Sequence, residues 1–242
     1  MDEDRNQMKN LASKYPEKLE EMKNLWFMLA GKYNGLPLDD REGIDVLLTP
    51  RPQPSKPRDQ YVYYAQTSGV PEAVAVNIRG RSYNIAAHVN VSTPEPRGVL
   101  FCHGSRFGGH TLYVKDFKLH YVYNWLGEKH QKLISNSTVP QGECILGVRF
   151  HLEGRDGPSP SGTAALYIND LKVAESRIIT QPGKFGLGSD LYIGKNVGEP
   201  ITDDYETPFE FKGGVIKQVI VDVSGESFQD LAKEMQNMLM RD

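Results

Sequence analysis

The sequence predicts an antiparallel β-sandwich of jelly-roll type, preceded by a helical arm and followed by a short helix. Three observations lead there. Apolar and polar residues alternate with a period of two through 83–91 and 144–152, the pattern of strands with one buried face. Two further segments close on themselves as hairpins with apolar residues opposite apolar ones. Turn formers are dense, with 23 glycines and 15 prolines in 242 residues. No helical period interrupts the strands, so a parallel sheet with crossover helices is not indicated.

The arm is placed at residues 1–58. A short helix is expected near Gln7–Lys14, then a longer one from Pro16, where a missing N–H costs nothing in the first turn. Leu19, Met22, Trp26, Leu29 and Tyr33 are spaced 3, 4, 3 and 4 apart, one stripe of a helix. Lys18, Glu20, Glu21 and Lys23 form the other face, and Asn34-Gly35 supplies a left-handed stop. Folding back on the sandwich and self-association through this stripe are both open. Pro50, Pro52, Pro54 and Pro57 then make a stiff linker.

The sandwich is placed at 59–224. In one strand Tyr83, Ile85, Ala87, Val89 and Val91 alternate with Ser82, Asn84, Ala86, His88 and Asn90. In another Cys144, Leu146, Val148, Phe150 and Leu152 alternate with Arg149, His151 and Glu153. With Asn169-Asp170 as a two-residue turn, partners sum to 339, so Ile168 faces Leu171 and Leu166 faces Val173. With Asp116-Phe117 as the turn the sum is 233, so Val114 faces Leu119, Leu112 faces Tyr121 and His110 faces Tyr123. Phe117 is a poor turn residue, which suggests a longer loop there. Further strands are expected near Tyr61–Tyr64, Val99–Cys102, Leu191–Ile193 and Phe209–Val223. The segment 225–242 reads as an amphipathic helix capped by Ser227, with Phe228, Leu231, Met235, Met238 and Leu239 on one stripe.

Composition excludes several classes. With 28 Lys+Arg against 31 Asp+Glu, the charge of −3 suits neither a nucleic-acid coat nor a polybasic membrane patch. No apolar run approaches the roughly 18 residues of a membrane span. Cys102 and Cys144 are too few for a disulfide framework and read as buried free thiols. The acidic start Met1-Asp2-Glu3-Asp4 is no secretory signal, which tilts localisation toward the cytoplasm.

Several segments, taken in order, resemble the C-terminal region of arylsulfatase-type sulfatases. They are Asn10-Leu11-Ala12, Tyr15-Pro16-Glu17-Lys18-Leu19, Leu25-Trp26, Gly31-Lys32-Tyr33-Asn34 and Leu36-Pro37-Leu38-Asp39-Asp40-Arg41. Gly104-Ser105-Arg106-Phe107-Gly108-Gly109, Leu112-Tyr113-Val114-Lys115-Asp116, Tyr121-Val122-Tyr123-Asn124 and Asp203-Asp204-Tyr205 continue the series, so the resemblance runs from about Asp4 to Val223. It implies a lectin-like, concanavalin A-type jelly roll belonging to a sulfuric ester hydrolase. It also implies that the formylglycine motif Cys-x-Pro-Ser-Arg and the calcium carboxylates belong to a catalytic domain absent from this sequence. The chain then resembles a truncation or a split subunit, with no cofactor of its own, packing on that catalytic domain and inactive alone. The alternative is a stand-alone carbohydrate-binding module.

Candidate residues follow from these readings, each beside a plainer one. Cys102-His103-Gly104-Ser105-Arg106 has cysteine, serine and arginine at the sulfatase spacing but glycine in place of proline. It reads instead as a strand end entering a glycine turn. Arg106 and His110 are the candidates for a position near a sulfate ester, since arginine's planar fork suits oxyanions; the plainer reading is an arginine bracing a turn. Tyr121, Tyr123 and Trp125 are candidates for stacking on sugar rings, although strands favour aromatics in any case. Asp203 and Asp204, near Glu199 and Glu206, are weak calcium candidates, or else a solvated acidic loop. His103, His110, His120 and His151 show no zinc spacing with a third ligand. No Gly-x-Ser-x-Gly elbow occurs.

Overall fold

The computed structural model describes residues 6, 8–43, 45, 56, 58–65, 67–157, 159–182 and 186–224. The chain divides into two compact units, Met1–Pro52 and Gln53–Asp242. The linker prolines and the helix expected at 225–242 lie outside the described residues.

In the first unit α1 (Pro16–Lys32) forms, with proline in its first turn, Glu17 at its positive end and Lys32 at its negative end. Asn34 follows with φ of 58°, the left-handed stop read from the sequence. Ion pairs Lys18–Glu21 and Lys23–Glu20 support its polar side. No residue of α1 is buried. The helix expected at Gln7–Lys14 is absent among the described residues 8–14. Instead Lys14 and Tyr15 both donate their N–H to Leu11 O, a single turn just before Pro16. Proline excludes the residue ahead of it from helical backbone, so a helix cannot run on through Tyr15.

Among its described residues the second unit holds eleven strands: β1 (Gln60–Tyr63), β2 (Tyr83–Val91), β3 (Gly98–Ser105), β4 (Gly108–Lys115), β5 (Lys118–Trp125), β6 (Lys129–Thr138), β7 (Gly142–Asp156), β8 (Ser159–Ile168), β9 (Leu171–Ile179), β10 (Leu191–Ile193) and β11 (Gly214–Asp222). All pair antiparallel, in a six-stranded sheet β1-β11-β2-β7-β8-β9 and a five-stranded sheet β10-β3-β4-β5-β6. This is a concanavalin A-like jelly roll. Its core lies between the sheets, with Ile85, Ala87, Val89, Leu146 and Val148 from one and Phe101, Leu112, Leu119 and Tyr121 from the other.

The β4–β5 hairpin has the register read from its sequence, Val114 opposite Leu119 and His110 opposite Tyr123. It needs no longer loop. Asp116 and Phe117 take φ of 50° and 64°, the backbone of a tight two-residue turn. The β8–β9 hairpin begins as expected with Ile168 opposite Leu171, then departs. A bulge makes Val173 the extra residue, so Leu166 faces Ala174 instead of Val173. The slip keeps Val173 buried in the core. The strand expected at Phe209–Val223 starts only at Gly214. Before it, Phe209 exchanges two backbone hydrogen bonds with Asn196.

The five-stranded sheet is covered on both faces. Val99, Cys102, Tyr113 and Val122 point away from the main core, and Ile201, Tyr205, Tyr192 and Phe209 close over them as a second apolar cluster.

Candidate functional site

The β3–β4 turn carries the glycine motif. Gly104 and Gly109 pair directly where the two strands approach. A Cβ on Gly104 would lie 2.3 Å from Gly108 O, and one on Gly109 would lie 2.4 Å from His103 O. The glycines are there for that close approach. Cys102 is no nucleophile: it is 1% exposed, its thiol donates to Lys195 O at 3.4 Å, and burial pushes its pKa up to about 12.

The other candidates do not come together. Arg106 is exposed at the turn, pairs through Nε with Glu199 at 3.1 Å and lies over the Phe107 ring at 4.8 Å. His110, its proposed companion, is buried with both ring nitrogens enclosed and cannot touch a bound sulfate. Tyr121 and Tyr123 are corrected in the same way. The Tyr121 hydroxyl shares a 2.6 Å hydrogen bond with Tyr83, the Tyr123 hydroxyl accepts from Gln181 N–H at 2.9 Å, and neither ring reaches solvent. Trp125 is half-buried against the core and donates Nε1–H to Ser159 Oγ at 3.0 Å. These aromatics are packing residues, because β5 is the strand covered on both faces.

The acidic pair is split too. Burial pushes the Asp204 carboxyl up, but hydrogen bonds from Lys132 and Tyr113 outweigh it and hold the group below its usual range. Its oxygens already accept from Lys132 Nζ and, at 2.6 Å, from Tyr113 O–H. Asp203 is exposed, with His130 Nδ1 3.6 Å away. No three carboxylates, histidines or cysteines converge as a metal cluster among the described residues.

A different site emerges on the outward face of the six-stranded sheet. An open groove of about 620 Å³ lies over β2, β7, β8 and β9, lined by Asn84, Arg149, His151, Thr163, Ala165 and Tyr167 among others. The strand register builds it. Asp222, Asn84, Arg149, Ala165 and Glu175 form one cross-strand row; His151, Thr163 and Arg177 form the next. Ala165, opposite Arg149, puts only a small, buried methyl there. The Arg149 guanidinium lies over the Tyr167 ring, 4.5 Å from its centroid. At the rim Arg177 pairs with Glu153 at 3.1 Å, Thr163 donates to Glu153 at 2.6 Å, and Lys172 pairs with Glu175 at 2.7 Å. The arrangement offers polar groups held in place by ion pairs and hydrogen bonds.

The signal for this groove was the polar half of the alternation, which marked Asn84, Arg149, His151 and Glu153 as outward-facing. What it lacked was the sheet order that makes β2, β7 and β8 neighbours.

No family model and no curated protein matches the chain. Solved structures do resemble it. The mouse laminin α1 chain, domains LG4-5, is 14% identical over 80% of this chain and 48% of its own, with a TM-score of 0.41. Galectin LEC-6 of Caenorhabditis elegans is 10% identical over 66% and 95%, with a TM-score of 0.38. Domain 4 of the arabinanase AbnA from Geobacillus stearothermophilus, solved with arabinotriose, is 14% identical over 64% and 65%, with a TM-score of 0.39. This chain thus spans about half the length of the laminin fragment. Likenesses this distant assign no ligand to it.

Proposed function

We propose that this chain is the C-terminal accessory region of an arylsulfatase-like sulfatase, a lectin-type module that packs on a catalytic domain and shapes access to it. One observation supports this reading above the others. The sandwich segments that resemble sulfatases are scattered over a hundred residues, yet hydrogen bonds join them in pairs, 104–109 with 121–124 and 112–116 with 203–205, and reach the neighbouring Ile201 and Thr111. Asn124 Nδ2 donates to Ser105 O at 3.3 Å, to Arg106 O at 3.0 Å and to Ile201 O at 3.0 Å. Tyr113 O–H donates to Asp204, and Tyr205 O–H donates to Thr111 Oγ1 at 3.2 Å. The resembling residues thus hold β3, β4 and β5 to the 201–205 segment that covers them. Phe107, 63% exposed at the β3–β4 turn, is an apolar group suited to a partner domain.

The test has two arms. The chain alone is assayed on an aryl sulfate, with turnover at background expected. It is then sedimented with an arylsulfatase catalytic domain that carries Cys-x-Pro-Ser-Arg, with association expected and weakened by Phe107→Asp. Turnover by the chain alone, or no association, overturns the reading.

The second reading, a carbohydrate-binding module that acts by itself, is favoured by the groove over β2, β7, β8 and β9. Fixed donors and acceptors beside an aromatic ring are how proteins hold sugars, whose rings have one apolar face and a hydroxyl edge. Titration of the chain with oligosaccharides separates the two readings.

A further inference from the structure

We infer that the groove on the six-stranded sheet is built for a saccharide bearing an oxyanion, with Arg149 as the group that holds it. This rests on the carbohydrate reading of the groove and does not need the sulfatase reading.

The argument starts from how the groove's charges are paired. Arg177 is held by Glu153 and Lys172 by Glu175. Asp222 accepts from Ser224 N–H at 2.9 Å and from Ser224 O–H at 2.6 Å. Arg149 differs: its guanidinium lies on the Tyr167 ring, and among the described residues it makes no ion pair. The register explains why. Arg149 sits opposite Asn84 on one side and Ala165 on the other. The nearest carboxylates in its row, Asp222 and Glu175, are each two strands away, about 10 Å at the usual strand spacing. The sheet therefore sets one cation between two uncharged neighbours, lays its fork on an aromatic ring and leaves its donors facing the groove.

His151, two residues along β7, and Asn84, directly opposite Arg149, bring further polar groups to the same spot. Arginine's fork matches the paired oxygens of a sulfate or a carboxylate. Asn84 and His151 are placed for neighbouring ring hydroxyls, and the small Ala165 opposite Arg149 leaves room for the ring beside it. The ligand class is a sugar ring carrying sulfate or carboxylate; a neutral sugar leaves the Arg149 charge unanswered.

The test is calorimetric titration of the full chain with a sulfated galactan tetrasaccharide, its desulfated neutral counterpart and a galacturonate tetrasaccharide. The expected result is saturable binding of at least one anionic ligand, at least tenfold tighter than the neutral one and weakened by added salt. Arg149→Ala should lose at least tenfold and Arg149→Lys part of that, with thermal midpoints unchanged. Lys118→Ala, on the other sheet, should bind as wild type. Preference for the sulfated or for the uronate ligand identifies the anion, and either supports the assignment. Equal binding of the neutral sugar, an Arg149→Ala variant that binds as wild type, or no binding at all overturns it. None of these outcomes bears on association with a catalytic domain, which is read in a separate experiment.

Discussion

His103 and His110 face each other across the β3–β4 pair, ring centroids 6.1 Å apart, with all four ring nitrogens enclosed and without hydrogen-bond partners among the described residues. Burial pushes His103 down to about 4, Arg79 adds to this and Glu72 opposes it. His110 is driven well below its ordinary range by burial, by His103 and by Arg79. Both imidazoles are thus neutral in the fold.

That neutrality fixes the sign of an acid effect. The unfolded chain protonates its histidines near pH 6.5, while the folded chain resists until about pH 4. Stability is therefore full above about pH 6.5 and falls as the pH drops toward 4, by about 3 kcal/mol for His103 alone. Glu72 and Asp204, held below their usual 4.5 and 3.8, add losses only at lower pH. Urea unfolding at pH 7.5, 6 and 4.5 measures this. His103→Gln should make the fall shallower, and an unchanged pH profile in that variant would show that the imidazole is not its source.

Tyr123 should act as a core residue. Tyr123→Ala is expected to cost about 3–5 kcal/mol, and Tyr123→Phe about 1 kcal/mol from the lost bond to Gln181 N–H. Tyr123→Phe should leave any glycan affinity unchanged; a selective loss of binding would return this ring to the ligand site.

Cys102 and Cys144 are free, with burial pushing their thiols up to about 12 and about 11. Neither should react with a maleimide in the native protein at pH 7.5, and both should label after denaturation. Mass spectrometry of native and unfolded samples checks this. Rapid native labelling at 102 would reopen the case for a reactive cysteine.

Phe117 holds φ of 64° at a turn with its ring half exposed. A left-handed backbone costs an L-residue roughly 1–2 kcal/mol. Phe117→Gly should therefore raise stability by about 1 kcal/mol, visible as a higher thermal midpoint. Gly104→Ala should do the reverse, since its φ is +118° and the new methyl meets Gly108 O.

The sequence by itself determined the strands other than β6, the polar face of β2 and β7, and the β4–β5 register, because a period of two and a turn of fixed length leave one pairing that buries both apolar faces. It also marked the stop of α1 at Asn34. Tertiary structure decided which faces are covered. Residues 201–209 pack over Tyr113 and Val122, so β5 is buried on both sides and its tyrosines never see solvent. The groove was decided there too. Asn84, Arg149, His151 and Thr163 come from three strands up to eighty residues apart, and only the order β2-β7-β8 sets them side by side. Alternation reports which way a side chain points, and it carries no information about which strand lies alongside.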